Sequence, residues 1–219
     1  MKKFVWGIVL VILAMSFMAT AESLVTAKFA AKAPKIDGVL NDEVWSKAEA
    51  IADFTNAETG SKPSGKTEYW VAWDNDNLYV AIKNYVNTEY LRQTVTTDEG
   101  PTWDDDENSV FLNPSLPEMA GMYQYSFNSL GIKNGLGYGG ATRPGLDQWE
   151  VAIKIEKDYY AAEICISFES AETWPSAGDE WGFNVGRNCT SLGELYSWSP
   201  LGGGKFVDPT TFGVIRFVK

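Results

Sequence analysis

The stretch TEYWVAWDNDNLYVAIKNYV, residues 67–86, decides the fold class of this 219-residue chain. Two segments rich in β-branched and aromatic residues, TEYWVAW and NLYVAIKNYV, flank the polar tripeptide Asp74-Asn75-Asp76. Two such segments separated by a short polar turn predict a pair of strands joined in a tight hairpin.

Segments of the same character recur along the rest of the chain, roughly every ten to twenty residues. They are SVFLN (109–113), YQYSFN (123–128), QWEVAIKI (148–155), YYAAEICISF (159–168), EWGFNVGRN (180–188) and FGVIRFV (212–218). This pattern predicts an all-β chain folded as a two-sheet antiparallel β-sandwich of the jelly-roll or immunoglobulin-like kind. One short helix is expected near residues 41–50, because Val44, Trp45 and Ala48 recur at helical spacing after Asp42.

The first 21 residues have the layout of a secretory signal peptide. Lys2 and Lys3 precede an apolar run from Phe4 to Met18, which ends at the small-residue triplet Ala19-Thr20-Ala21. The run is shorter than the ~20 residues that a membrane-spanning helix needs. We therefore expect cleavage near Ala21 and a single domain over residues 22–219 that is exported to the periplasm or the exterior and does not span the membrane.

Charge and composition exclude several classes of function. The net charge is −11, which repels phosphate backbones and argues against nucleic acid as a partner. The chain has no histidine, which removes Ser-His-Asp triads and histidine-ligated metal sites and leaves carboxylate chemistry. Cys165 and Cys189 could form a disulfide in an oxidising compartment, but two separately buried thiols are the simpler expectation.

The segment EGPTWDDDENSVFLNP, residues 99–114, places Trp103 directly before four acids, Asp104, Asp105, Asp106 and Glu107. Three interpretations compete for this segment: a catalytic carboxylate pair, a cation site, or a binding platform at a sheet edge. Calcium prefers oxygen ligands of this kind, although a solvated acidic loop explains the run equally well. Loop-forming neighbours predict that Trp103 is exposed, whereas most other tryptophans are expected to pack inside.

Several segments, taken in order, resemble family 9 carbohydrate-binding modules. They are VTAKFAAKAPKIDGVLNDEVWSKA (25–48), WVAWDNDNLYVAI (70–82), YQYSFNSLGIKNG (123–135), AAEICISF (161–168) and KFVDPTTFGVIRF (205–217). The resemblance covers nearly all of the chain after residue 21. It implies a β-sandwich that binds sugars without altering them, usually with structural calcium. The resemblance does not assign the calcium ligands; the sequence offers the acids at 104–107 and the DNDN run at 74–77 as candidates, and neither has EF-hand spacing.

The resemblance also implies which residues would bind sugar. Modules of this family hold a sugar between two aromatic rings, and the matching positions are Trp103 and Phe206. Asn128 and Arg187 would supply polar contacts to the sugar hydroxyls. The chain departs from the family at four positions where polar side chains are expected, and these hold Ser109, Ser126, Gly186 and Gly203.

The sequence therefore predicts non-catalytic binding of an oligo- or polysaccharide, with β-glucan or xylan fragments or chain ends as the expected ligands and association with glycoside hydrolases as an implied role. One alternative is a structural or envelope-associated interaction domain that has kept the fold and lost the sugar site. The least favoured alternative is a glycosidase, in which one acid of the 104–107 run would act with Glu163 or Asp208.

Overall fold

A computed structural model of the chain describes residues 23–115 and 121–219. The predicted signal peptide lies outside these ranges. Within them, no helix has both the length and the apolar character needed to cross a membrane.

Twelve strands and one short α-helix account for most of the regular structure in the described residues. The strands are β1 (Leu24–Phe29), β2 (Thr55–Asn56), β3 (Thr67–Trp73), β4 (Asn77–Tyr85), β5 (Glu107–Asn113), β6 (Met122–Asn128), β7 (Lys133–Tyr138), β8 (Trp149–Ile155), β9 (Tyr159–Ser167), β10 (Glu180–Cys189), β11 (Glu194–Ser197) and β12 (Gly213–Val218). The helix α1 spans Glu43–Lys47, inside the predicted range of 41–50. Four short 3-10 helices lie in the connections, at Thr88–Tyr90, Thr102–Asp104, Phe168–Ala171 and Pro209–Thr211.

The strands pair in the order β7-β6-β5-β10-β12-β1-β3-β4-β9-β8, and β11 and β2 extend the sheet beside β10. The path curls so that its two halves face each other, and its two ends approach closely. The side chain of Lys133 on β7 donates to the carbonyl of Trp149 on β8 over 2.9 Å. The architecture is thus an all-β, nearly closed sandwich, which confirms the predicted fold class.

Strand β1 differs from the predicted antiparallel pattern, because it runs parallel to both of its neighbours. Leu24 to Lys28 pair with Val214 to Val218 on β12, and Lys28 and Phe29 pair with Ala72 and Trp73 on β3. Parallel neighbours need a long crossover connection. Residues 30–66, which include α1, supply that connection between β1 and β3.

The hairpin predicted over residues 67–86 is present as β3 and β4, with Trp73 paired to Leu78 next to the turn. The carboxylate of Asp74 holds the turn by accepting the backbone N–H groups of Asp76 at 2.9 Å and Asn77 at 2.8 Å. The second oxygen of Asp74 accepts the hydroxyl of Tyr79 at 2.6 Å. The polar turn residues therefore form the hydrogen bonds that a tight reversal of the chain requires.

Aromatic side chains join the two halves of the sandwich. Tyr69 on β3 contacts Phe183 on β10 with ring centroids 6.0 Å apart, and Tyr125 on β6 meets Trp149 on β8 at 5.5 Å. Tilted and edge-to-face pairs of this kind stabilise a core beyond the area that they bury. The tryptophans expected inside are buried, namely Trp45, Trp73, Trp149, Trp181 and Trp198.

The two cysteines are free thiols, as the simpler expectation required. Cys165 is half-buried on β9, whereas Cys189 is buried at the end of β10. Burial raises the pKa of Cys165 to about 12, so this thiol stays protonated at neutral pH.

The carboxylate of Glu163 on β9 ties the Ile36-Asp37-Gly38 turn and α1 to the sheet. Its Oε2 accepts the backbone N–H groups of Asp37 at 3.0 Å and Gly38 at 2.8 Å, and its Oε1 accepts the indole N–H of Trp45 at 2.7 Å. Glu163 is fully buried. Desolvation raises the pKa of this carboxyl group, and the three donors act in the opposite direction.

Gly38 must be glycine for two reasons. Its φ of +80° is unfavourable for other residues, and a Cβ atom there would lie 2.6 Å from the backbone nitrogen of Lys154 on β8. The turn can therefore approach both Glu163 and the edge of β8 only because this position has no side chain.

Replacing Glu163 with alanine is expected to lower the free energy of unfolding by about 3–4 kcal/mol, because three donors in the interior lose their acceptor. Urea denaturation followed by tryptophan fluorescence measures this change. Glu150 on the adjacent strand β8 is exposed, so Glu150→Ala serves as the control and should change stability by less than about 0.5 kcal/mol. Equal stabilities of the two variants would contradict a structural role for Glu163.

Candidate functional site

A surface cavity with a volume of about 350 Å³ lies on the outer face of strands β5, β6 and β10. Strand alternation explains which side chains reach it. Glu107, Ser109 and Phe111 project from one face of β5, opposite Asn188 and Gly186 on β10. The residues between them on β5, Asn108, Val110 and Leu112, project into the interior of the sandwich.

Trp103 forms one wall of the cavity. It lies in the 3-10 helix Thr102–Asp104, and half of its side chain is exposed (50%), as the loop-forming neighbours predicted. The amide nitrogen of Asn188 donates to the carbonyl of Trp103 over 2.8 Å, which attaches this helix to β10. The backbone of Trp103 is therefore fixed, and its indole ring is accessible.

Phe206 lines the same cavity, but its ring lies down on the sheet. It stacks on Phe111 with centroids 5.9 Å apart and an interplanar angle of 13°. A Cβ atom at Gly186 would come within 2.9 Å of the Phe206 ring. The missing side chain at position 186, where the resemblance leads us to expect a polar residue, therefore makes the space that Phe206 occupies.

The floor of the cavity is a chain of side-chain hydrogen bonds. Tyr138 donates its hydroxyl to Gln124 Oε1 at 2.8 Å, and Gln124 Nε2 donates to Ser126 at 2.8 Å and to Ser109 at 3.1 Å. The hydroxyls of Ser109 and Ser126 are 2.6 Å apart, and Ser109 donates to Glu107 Oε1 at 2.6 Å. Glu107 is thus the final acceptor of a chain that crosses β7, β6 and β5.

Glu107 is an ionisable group in a mostly dehydrated position, with only 6% of its surface exposed. Burial raises the pKa of Glu107, and the hydrogen bond that Ser109 donates to it counteracts part of that rise. None of the ion pairs formed by the described residues involves Glu107.

Asp105, two residues before Glu107, has a structural role. Its Oδ1 accepts the backbone N–H and the hydroxyl of Thr94 at 2.8 and 2.6 Å, and its Oδ2 accepts Val95 N–H at 2.8 Å and the Asn128 amide at 2.9 Å. Desolvation alone would raise the pKa of Asp105, but these hydrogen bonds outweigh it and lower the pKa. Asp105 thereby fixes the segment before the Trp103 helix to strand β6.

The remaining acids of the run point elsewhere. Asp106 Oδ2 accepts Arg92 N–H at 2.8 Å and the hydroxyl of Thr190, while its buried Oδ1 has no partner, and Asp104 is exposed. In the described part of the chain, no group of three or more acidic, cysteine or histidine side chains is arranged to hold a metal. Hydrogen-bond donors occupy both carboxylate oxygens of Asp105 and one oxygen of Asp106. Structural calcium stays a prediction of the resemblance.

The two residues predicted to contact sugar hydroxyls, Asn128 and Arg187, both form hydrogen bonds within the protein. The amide of Asn128 donates to Val95 O at 2.8 Å and to Asp105, and its oxygen accepts the N–H groups of Leu130 and Ile132. Asn128 therefore holds the turn after β6, away from Trp103 and Phe206.

Arg187 contributes to the cavity wall, but its guanidinium group lies on the interior face of β10. Its Nη1 donates to Lys66 O at 3.1 Å and to Thr67 Oγ1 at 3.0 Å, and the guanidinium carbon lies 5.4 Å from the centre of the Tyr196 ring. Nε and Nη2 are buried without a hydrogen-bond partner. Strand alternation decides this orientation, because Arg187 pairs with Asn108, whose side chain also points inward.

The sequence motifs do not identify three polar residues that face the cavity, Glu107, Gln124 and Asn188, as possible contacts to sugar. They indicate Glu107 only as a metal ligand or as a catalytic acid. The alternation of side chains along β5 could have identified Glu107 as a cavity residue, since Glu107 lies on the same strand face as Ser109.

The carboxylate pairs that a glycosidase would need do not form across this cavity. Glu163 is buried beside Trp45, and Asp208 accepts the N–H and hydroxyl of Thr210 at 3.0 and 2.6 Å, at the start of the 3-10 helix Pro209–Thr211. Among the described acids, Glu107 is the only one that lines the cavity.

Comparison with protein families gives a match over residues 36–219 to the model described as carbohydrate family 9 binding domain-like. The chain belongs to this family. The matched region contains every element of the cavity, from the Trp103 helix to Phe206. A search of curated proteins found no match.

Solved structures with the same fold include a family 9 carbohydrate-binding module from Caldicellulosiruptor kristjanssonii, determined with cellotriose and with glucose. The cellotriose complex is 17% identical with a TM-score of 0.68, and the match covers 90% of this chain and 94% of that one. The glucose complex is also 17% identical, with a TM-score of 0.66 and coverage of 89% and 95%. A protein from Bacteroides uniformis ATCC 8492 is 14% identical, with a TM-score of 0.72 and coverage of 90% and 100%. At these identities the similarity establishes the fold of this family 9 domain.

Measuring the free energy of unfolding as the pH is lowered should reveal how much Asp105 stabilises the fold. Because its pKa is lowered in the folded state, the stability that it provides is fully present above the pKa of an unfolded aspartate, near ~4, and is lost as the pH falls through the folded value. Asp105→Asn should lose about 2–4 kcal/mol at neutral pH and show a weaker pH dependence below about pH 4.

Urea denaturation at a series of pH values measures both effects. Asp104→Asn removes the same charge from an exposed neighbour and should leave the acid dependence as in the unchanged protein. Identical pH profiles for Asp105→Asn and Asp104→Asn would show that Asp105 does not stabilise the fold.

Proposed function

We propose that this domain binds a saccharide non-covalently in the cavity between Trp103 and Phe206. The observation that carries this proposal is the position of the two rings: they come from segments far apart in the sequence and line one open cavity with a polar floor. The family assignment supports carbohydrate as the ligand class.

The chemistry of the cavity suits a pyranose ring. Such a ring presents C–H bonds on its two faces and hydroxyl groups around its rim, so it needs a flat aromatic surface and nearby hydrogen-bonding groups. Trp103 supplies an accessible, stiff ring, and Glu107 and Asn188 supply polar atoms beside it. The cavity volume of about 350 Å³ lies at the small end of the usual range for ligand sites, roughly 300–1,000 Å³, and so fits a short oligosaccharide or a chain end.

Fragments of β-glucan or xylan are the proposed ligands. The structurally similar module from Caldicellulosiruptor kristjanssonii binds cellotriose and glucose, which supports this class. The proposed role is binding without catalysis, because Glu107 has no second carboxylate opposite it in the described part of the cavity. Export after cleavage near Ala21 and association with glycoside hydrolases belong to the same proposal.

The alternative of an interaction domain that has lost the sugar site is less favoured. That reading expects the aromatic wall to be buried or dismantled, whereas Trp103 is half exposed beside an open cavity. Small residues, Ser109, Ser126 and Gly186, stand where the resemblance leads us to expect larger polar side chains. Glu107 and Gln124 nevertheless supply polar groups to the cavity floor.

Trp103→Ala is expected to weaken binding of cello-oligosaccharides by at least about tenfold, the equivalent of ~1.4 kcal/mol, because the ring that covers the sugar face is lost. Isothermal titration calorimetry with cellobiose and cellotriose measures the affinity. Trp174→Ala is the matched control, since Trp174 is 56% exposed and lies outside the cavity lining.

The control variant should bind as the unchanged protein does. Equal affinities for Trp103→Ala and Trp174→Ala would remove Trp103 from the site. Absence of binding to every soluble β-glucan and xylan oligosaccharide would favour the interaction-domain reading instead.

A further inference from the structure

We propose that the cavity selects saccharides that carry a free amino group, and that Glu107 is the residue that recognises the ammonium ion. This inference rests on the proposed function, because it specifies the ligand of the same cavity. It concerns Glu107, the one acid among the described residues that lines the cavity.

The direction of the floor hydrogen bonds is the first observation. A serine hydroxyl has one hydrogen to donate. Ser109 donates its hydrogen to Glu107, so the 2.6 Å contact between the two serines must use the hydrogen of Ser126. Both N–H groups of Gln124 are committed to these serines, and the hydroxyl of Tyr138 is committed to Gln124.

The hydroxyl and amide hydrogens of these four residues are therefore all donated within the floor. Each hydrogen bond points along the series that ends at Glu107. The groups that remain to contact a ligand are the rest of the Glu107 carboxylate, the indole N–H of Trp103, and the amide oxygen and second N–H of Asn188, whose other N–H bonds Trp103 O. Glu107 is the one acid among these groups in the described residues, so the cavity favours a ligand that brings a positively charged donor to it.

The charge around Glu107 is the second observation. Glu107 is a buried residue with 6% of its surface exposed, and none of the ion pairs among the described residues includes it. The nearest basic residue on the same strands, Arg187, directs its guanidinium to the opposite face of β10. A buried carboxylate without a cation is costly, and an ammonium ion that reaches it forms a charge-assisted hydrogen bond.

The aromatic walls are the third observation. An ammonium ion near the faces of Trp103 and Phe206 gains cation–π attraction in addition to its bond with Glu107. A ligand can stack on the exposed indole only if it has a flat face. A pyranose ring has such a face, and a simple amine does not. Glucosamine and its β-1,4-linked oligomers combine both features.

The experiment compares four compounds by calorimetry at neutral pH: the β-1,4-linked disaccharide of glucosamine, its N-acetylated form, cellobiose, and ethanolamine. The unchanged protein should bind the glucosamine disaccharide at least about tenfold more tightly than cellobiose and the N-acetylated form, which lack the charge. Ethanolamine, which has the charge and no ring, should bind at least about tenfold more weakly than the glucosamine disaccharide.

Glu107→Gln keeps the size of the side chain and removes the charge, so it should equalise the affinities for the glucosamine disaccharide and cellobiose. Asp104→Asn is the matched control, because it removes one exposed negative charge next to Trp103 without touching the floor. It should keep the preference for the amine, whereas general attraction between an acidic protein and a cation would weaken in both variants.

The outcomes separate this inference from the proposed function. Equal binding of cellobiose and the glucosamine disaccharide by the unchanged protein overturns the amine preference and leaves saccharide binding intact. A preference that survives Glu107→Gln, or ethanolamine binding as tight as that of the disaccharide, also overturns it. Failure of all three sugars to bind overturns the proposed function as well. The comparison among compounds uses the unchanged protein, so it stands even where Glu107→Gln does not fold.

Discussion

The alternation of side chains along strand β5 is the constraint on which this molecule depends. Successive residues of an extended chain point to opposite faces, so one seven-residue strand serves two environments. Asn108, Val110 and Leu112 enter the interior, and Glu107, Ser109 and Phe111 form the cavity floor. Because β5 lies between β6 and β10, its register also decides which side chains of those strands face the cavity. A shift by one residue would exchange the two sets.

Buried carboxylates in this protein act mainly as acceptors for N–H and O–H groups that the fold would otherwise leave unpaired. Glu163 joins the first turn and Trp45 to β9, and Asp105 joins the segment before Trp103 to β6. In each case a single carboxylate attaches a turn or loop segment to a strand that is distant in the sequence. Glu107 differs from both, because it lines the surface cavity and accepts one observed hydrogen bond, from the hydroxyl of Ser109. This difference separates structural acids from the one acid to which we give a binding role.

Gly186 and Phe206 show how two positions far apart in the sequence fit together on the outer face of the sheet. With no side chain at position 186, the phenyl ring of Phe206 rests on the sheet and stacks on Phe111, so this part of the cavity has an apolar wall. The polar groups of the cavity include those of Glu107, Gln124 and Asn188. In the proposed site, these groups would decide which sugars bind, since recognition depends on matching every buried polar group.

The sequence alone determined the class of the fold, the hairpin over residues 67–86, the short helix around Trp45, the exposure of Trp103 and the family. These features follow from local patterns: the alternation of residues, turn chemistry and ordered motifs. Only the tertiary structure decided that β1 is parallel, that Asn128 and Arg187 form hydrogen bonds within the protein, and that the four acids after Trp103 separate into different roles. The reason is physical. Whether a polar side chain is free to bind a ligand depends on the donors and acceptors that distant segments bring to it, and those partners exist only after the strands have paired.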